Sequence, residues 1–297
     1  MPTPADVHAP SVLGARLRVL AAAALFSSGG AAVKAVELTG WQVACFRSAV
    51  ATVAFLLLLP EARRWPPPRV LAISSVYSIT MILFVLSNKL TTAASAIFLQ
   101  ATAPLWVVLL SPWLLGERVR GRDIVYMGVL AAGLACFFVG IEPATAMATN
   151  PLLGNVLAAL SGLTWALTIM GLRSLGRAGQ EGESWGPASA LWGSIITVAC
   201  CLPMALPLGP TRGEDWLVVG YLGVFQIAVA YVFLLRGIVN VRALEASLLL
   251  LLEPVLNPLW AWAVHGEEPG AWSIAGGVIL LLATIVKSWV DARAGEG

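Results

Sequence analysis

Long apolar runs alternate with short polar breaks along almost the whole chain. The runs cover about residues 17–36, 40–59, 69–88, 91–115 and 123–141. A second series covers 152–172, 185–206, 216–235, 241–264 and 271–289. Each approaches the roughly 20 apolar residues that cross about 30 Å of hydrocarbon. Lipid offers a backbone no hydrogen bonds, so the pattern predicts an all-α integral membrane protein with ten transmembrane helices. A polar, proline-bearing stretch precedes the first run, and a Pro/Thr/Asn-containing segment, 142–151, separates two groups of five. The first run lacks a convincing cleavage site and reads as a span rather than a removable leader.

One pattern occurs twice. Ala93-Ala94-Ser95-Ala96 opens an apolar run that meets Ala103-Pro104 and stops at Gly116-Glu117. Ala243-Leu244-Glu245-Ala246-Ser247 opens another that meets Glu253-Pro254 and stops at Gly266-Glu267, with the same spacing from proline to glycine. A proline-interrupted helix at matching places in two halves is the best sequence pointer to a transporter's binding site. Five spans per half is an odd number, so the halves, 13–141 and 152–290, enter the membrane from opposite sides as an inverted repeat.

Composition restricts the alternatives. The chain of 297 residues is 59% hydrophobic and 11% charged, and its mean hydropathy is +0.85. That charge content is less than half of the about 25% usual in soluble domains. A net charge of +2, with no dense basic patch, gives no sign of a nucleic-acid partner. Cys45, Cys136, Cys200 and Cys201 lie inside apolar runs without metal-ligand spacing and read as small residues packed between helices. His8 and His265 fall outside the spans, and no intramembrane aspartate pair occurs, so the chemistry of a membrane enzyme finds no support. No cofactor or metal is expected, and no obligate protein partner is evident.

The basic residues set an orientation. Of the 18 lysines and arginines, Lys34, Lys89 and Arg212 fall in segments on one side, Arg47 lies within a span, and the rest fall on the other side. The positive-inside rule then puts both termini in the cytoplasm, as expected for a multi-pass protein of a bacterial inner membrane. Lys34, Lys89, Arg236 and Glu245 lie near enough to span ends to snorkel. Trp41, Trp65, Trp113, Trp185, Trp216, Trp272 and Trp289 sit near predicted ends, where amphipathic rings favour the interface.

Polar side chains inside the spans carry the functional signal. The third span aligns Ser74, Tyr77, Ser78, Met81 and Asn88, the sixth Ser161, Thr164, Trp165 and Thr168, and the fourth Ser95, Thr102 and Trp106. The ninth aligns Glu253, Asn257 and Trp260, the eighth offers Gln226 and Tyr231, and the first Ser27, Ser28 and Gly29. Such stripes fit a wet cavity for a small amphipathic solute, and they equally fit interhelical hydrogen bonding. Their recurrence on equivalent spans of both halves favours a cavity. Glu253 lies about 18 Å along its span at about 1.5 Å per residue, near the midplane. A central acid costs about 2.5–3.5 kcal/mol to insert. It reads as a partner for a substrate amine, as a coupling proton carrier, or as a protonated acid bonded to a neighbouring helix. Arg47 reads chiefly as a structural group capping carbonyls or pairing with an acid, with a substrate carboxylate as the other reading. Pro254, Pro258, Pro104 and Pro112 each free a carbonyl, which a cavity or a kink must accommodate.

The doubled five-span unit, Ala24-Leu25-Phe26-Ser27-Ser28 in the first span, Cys45-Phe46-Arg47-Ser48 in the second and the two proline-to-Gly-Glu stretches together resemble the drug/metabolite transporter superfamily. Within it the chain is similar to the ten-helix EamA-type branch and to its bacterial aromatic amino-acid exporters. The resemblance implies a secondary transporter working by alternating access, with Tyr77 and Trp165 facing a central cavity. Small Ala101 and Ala103 stand before Pro104, where the aromatic exporters carry bulky aromatics, which favours a broader amino-acid range. The expected substrate site comprises Tyr77, Ser78, Met81, Thr102, Trp106, Trp165, Thr168, Tyr231, Glu253 and Asn257. Efflux of organic cations or drugs is the alternative, with Glu253 as cation partner, and a structural scaffold would leave no cavity at all.

Overall fold

The structure is a computed structural model, and it describes residues 12–114, 121–139, 145–178, 185–238, 249–250 and 252–295. The first five predicted runs form α1 (Val12–Ser27), α2 (Gly29–Ala35), α3 (Gly40–Leu58), α4 (Pro68–Leu90), α5 (Ala93–Gln100), α6 (Ala103–Leu114) and α7 (Gly121–Val139). The second five form α8 (Pro151–Ala178), α9 (Gly186–Ala205), α10 (Gly213–Tyr221), a π-helical stretch (Leu222–Val229), α11 (Ala230–Ile238), α12 (Leu252–His265) and α13 (Ala271–Gly295). Among the described residues, eight helical stretches are long and apolar enough to cross a membrane, and Ala271–Lys287 is a shorter apolar helix. The remaining predicted span is represented by α12. Gly116-Glu117 and Ala243–Ser247 of the repeated pattern lie outside the described residues.

Helix starts follow local chemistry. Thr39 and Gln42 form a reciprocal capping box at α3, and the Thr92 hydroxyl accepts from the Ser95 amide at α5. Pro68, Pro151 and Pro187 stand in first turns, where their missing N–H removes no helical bond. Gly266 ends α12 with φ of 63°, a conformation that side-chain-bearing residues rarely adopt, and its N–H returns to the Trp262 carbonyl at 2.8 Å.

Two spans are broken, the fourth of them beside the proline that predicted an interruption. The first is interrupted at Ser28, between α1 and α2. The fourth is interrupted at Ala101-Thr102, just before Pro104, where the sequence suggested a kink. Both breaks satisfy their own polar groups: Ser27 and Ser28 donate to the carbonyls of Ala24 and Leu25, and Thr102 donates to Leu99. Ser/Thr back-bonding of this kind is what makes a broken helix tolerable in lipid.

The halves interlock. α4 packs on α8 and α9, α3 on α9 and the π-helical stretch, α1 on α11 and α12, and α7 on α13. Close approach rests on small residues. A methyl group on Gly223 would sit 2.5 Å from Val50 and 2.7 Å from the Arg47 carbonyl, and one on Gly193 would meet the Tyr77 ring. The outer surface is a belt of exposed apolar side chains such as Leu57, Val139 and Leu217, as a lipid solvent requires. Cys45 and Cys201 are buried, whereas Cys200 points outward, so it is not the packed residue expected.

Helix alternation divides the bundle into two ends. The terminal end carries the start of α1 and the end of α13; there Gly237 of α11 meets Ala15, and Lys287 pairs with Asp123 at 2.8 Å. The opposite, distal end carries Lys34, Thr91, Met147 and Glu267.

Candidate functional site

A chamber of about 450 Å³ lies between the two halves at the centre of the bundle. This falls within the range of roughly 300–1,000 Å³ usual for small-molecule sites. It is bordered by the break between α5 and α6, through Ala101, Ala103 and Pro104, and by Glu253 and Pro254 of α12, so both proline segments face it. From there it runs toward the terminal end, where Thr284 and Lys287 of α13 and Tyr126 of α7 complete the wall. Its lining therefore includes the second, fifth and tenth spans as well as those expected.

Most of the wall is apolar, with a few charged and amide groups placed in it. Arg47 on α3 is 1% exposed yet borders the chamber. Its guanidinium donates to the Met81 carbonyl at 3.2 Å and to Gln226 Oε1 at 3.4 Å, and stands 6.0 Å from the centre of the Phe84 ring. Arg47 does cap a helix carbonyl as expected, but its side-chain partner is an amide and not an acid. Gln226 comes from the π-helical stretch; such inserted turns recur at functional sites because they displace side chains from the regular helical register. Glu253 also borders the chamber, and no hydrogen bond or ion pair engages its carboxylate among the described residues. Tyr231 lies within electrostatic reach of both Arg47 and Glu253, and its ring meets Phe26, Phe55 and Tyr77 edge-on at 5.4, 6.1 and 5.7 Å.

The distal end is closed by polar contacts. The Lys34 ammonium donates to the carbonyls of Thr91 and Met147 at 2.8 and 2.5 Å and pairs with Glu267 at 3.1 Å. The other Glu267 oxygen accepts from the Ala93 amide at 2.5 Å, at the first turn of α5. Lys89 donates to the Val36 carbonyl, His265 contacts the Ala31 carbonyl, and Glu37 pairs with Arg212. Lys34 is therefore not a snorkelling residue. Its side chain is 2% exposed, because partners from both halves satisfy the ammonium inside the protein.

The EamA-like transporter family model matches residues 14–139 and again 152–289, one copy on each five-span half. The chain belongs to the EamA-like transporter family. Among relatives of this transporter, an uncharacterized transporter of Archaeoglobus fulgidus is 27% identical over 79% of this chain and 82% of its own. One of Clostridium kluyveri is 25% identical over 74% and 71%. The pseudopaline exporter CntI of Pseudomonas aeruginosa is 25% identical over 93% of this chain and 95% of its own. A solved crystal structure shares the fold with a TM-score of 0.62 at 19% identity, covering 95% of this chain and 99% of that one. The transporter is thus a multi-pass membrane protein with a duplicated helical unit.

Of the expected substrate residues of this transporter, Met81, Trp165, Tyr231 and Glu253 border the chamber. The others do not border it. Tyr77 stands behind Tyr231, and its ring fills the space above Gly193. Ser78 accepts from Thr197 at 2.9 Å, while Thr168 and Thr102 donate to carbonyls of their own segments. These hydroxyls are consumed by helix contacts, as polar groups in a membrane must be when no water reaches them. The Trp106 indole nitrogen on α6 has no hydrogen-bond partner among the described residues. Asn257, one turn distal to Glu253, is fully buried against Gly30, and both its amide atoms are unpartnered among the described residues. In sequence Arg47 reads chiefly as structural and Gln226 only as a stripe residue, so neither enters the expected site, and their contact with each other escaped the sequence reading. An arginine inside a span is in a membrane a functional hypothesis by default.

Proposed function

We propose that this transporter exports small amphipathic solutes, amino acids over a broad range with aromatic ones included, across a bacterial inner membrane by alternating access. The chamber itself carries the reading: a mostly apolar space with a few polar groups, held between two repeats, reaching toward one end of the bundle and sealed from the other. With both termini cytoplasmic, as the basic residues favour, we read this arrangement as a cytoplasm-facing state. A solute enters from the terminal end, and release requires the Lys34–Glu267 seal to open as the halves rock. The solute drives this change only by binding the two states differently. The relative named as an exporter supports the outward direction.

The competing reading, organic-cation efflux, is favoured by Glu253 at the chamber wall. It is opposed by Arg47 on the same wall, since a cation sharing the chamber is repelled by the guanidinium. Counterflow in proteoliposomes, with a panel of amino acids and quaternary ammonium compounds and with or without a pH gradient, separates the two. Amino-acid exchange is expected, and its dependence on the gradient reports proton coupling. Exchange of quaternary ammonium compounds alone would replace this reading with the competing one.

A further inference from the structure

Resting on the proposed function, we infer that Arg47, steadied by Gln226, anchors the carboxylate of a dipolar substrate and that Glu253 anchors its ammonium group. The two side chains come from opposite halves, α3 and α12, and open on one chamber. Neither is neutralised by the protein among the described residues. Arg47 has only the amide of Gln226 and the carbonyl and sulfur of Met81, and its Nε has no partner. A guanidinium presents five N–H donors in a fork that matches a carboxylate, and these contacts leave part of that capacity, the Nε–H included, unused among the described residues. Glu253 has no hydrogen bond or ion pair among the described residues. The remaining cation on the wall, Lys287 at the terminal mouth, is already paired with Asp123. Among the described residues, the chamber wall therefore carries one basic and one acidic group that lack a partner of opposite sign.

A buried charge without a partner is costly, and removing one member of a buried pair costs more than the pair is worth when whole. A zwitterion satisfies both groups at once. An organic cation leaves Arg47 unanswered, and a dicarboxylate brings a second negative charge toward Glu253. Specificity then comes from repulsion as much as from attraction. The apolar remainder of the wall, Phe26, Ile97 and Trp165 among it, suits an apolar side chain. The arrangement also supplies a driving interaction for transport. A ligand held between α3 and α12 ties the two halves together, so its affinity differs between states that bring those helices together and states that part them.

The test uses the full-length protein in proteoliposomes and four probes: phenylalanine, phenylalanine amide, phenethylamine and N-acetylphenylalanine. The wild type is expected to exchange phenylalanine at least tenfold faster than any of the other three. Arg47→Gln is expected to lower phenylalanine exchange at least tenfold while sparing or raising that of the amide. Glu253→Gln is expected to do the converse, sparing or raising N-acetylphenylalanine. Arg47→Lys should recover part of the phenylalanine rate. If Arg47→Gln does not reach the bilayer, the selectivity of the isosteric Glu253→Gln decides alone. Equal exchange of all four probes by the wild type would overturn the assignment, as would variants that scale every probe down alike. A wild type that carries none of a wider amino-acid panel defeats the proposed function itself, an outcome distinct from unaltered selectivity.

Discussion

The two proline segments both face the chamber and differ in chemistry. In the first half the chain breaks at Ala101-Thr102, and Ala103 and Pro104 present small apolar groups to the chamber. In the second half Pro254 occupies the equivalent place, but the residue before it is Glu253. Duplication thus brings a proline segment from each half to the chamber wall, and one unshared side chain, Glu253, makes their two faces chemically unlike. The distal ends show a related asymmetry. Glu267, which follows the turn of Gly266, reaches across to Lys34 and to the first turn of α5. The stop of one proline segment therefore caps the start of the other. Each segment borders the chamber through its middle, while the distal seal joins the end of one to the beginning of its partner.

Making the halves chemically alike should have the largest effect. Ala103→Glu adds an acid to the first segment, so phenylalanine exchange is expected to fall more than tenfold while quaternary ammonium exchange rises; flux ratios in proteoliposomes read both. Breaking the distal seal comes next. Lys34→Met leaves Glu267 buried without its cation, a change worth about 3–5 kcal/mol. Lys34→Met combined with Glu267→Gln should recover most of the lost thermal stability. Both single variants should make a cysteine at Asn257 react faster with a thiol reagent added from the distal side. An unchanged labelling rate would show that the seal does not control access.

Gly223→Ala tests the contact between α3 and the π-helical stretch that holds Gln226 beside Arg47. Overpacking against Val50 and the Arg47 carbonyl should cost about 1–3 kcal/mol, read as a lower melting temperature. Trp165→Ala, at the chamber wall, is expected to lower amino-acid exchange by about tenfold. Tyr77→Ala acts only through the position of Tyr231 and should lower it by about threefold; double-mutant cycles of Trp165 and Tyr77 with Tyr231 separate direct from indirect effects. Ser78→Ala should have the smallest effect, below about 1 kcal/mol in stability and without change in selectivity. A larger loss of exchange would place Ser78 in the substrate path.

The hydrophobic pattern alone established the all-α membrane fold, the approximate spans and the repeated proline segment. Each follows from a local cost: apolar length against bilayer thickness, and a proline's missing N–H against a lipid that cannot replace it. Glu253 was legible for the same reason, since one ionisable group in an apolar run is expensive wherever it faces. Which polar groups face the chamber was decided by packing between distant spans. Tyr77 and Trp165 both stood on polar stripes, yet Tyr231 stands in front of one and not the other. The uncompensated state of Arg47 and the burial of Lys34 were settled in the same way. A charged side chain's role depends on which helix lies opposite it, and that partner is chosen by helix packing across the whole bundle rather than by its neighbours in sequence.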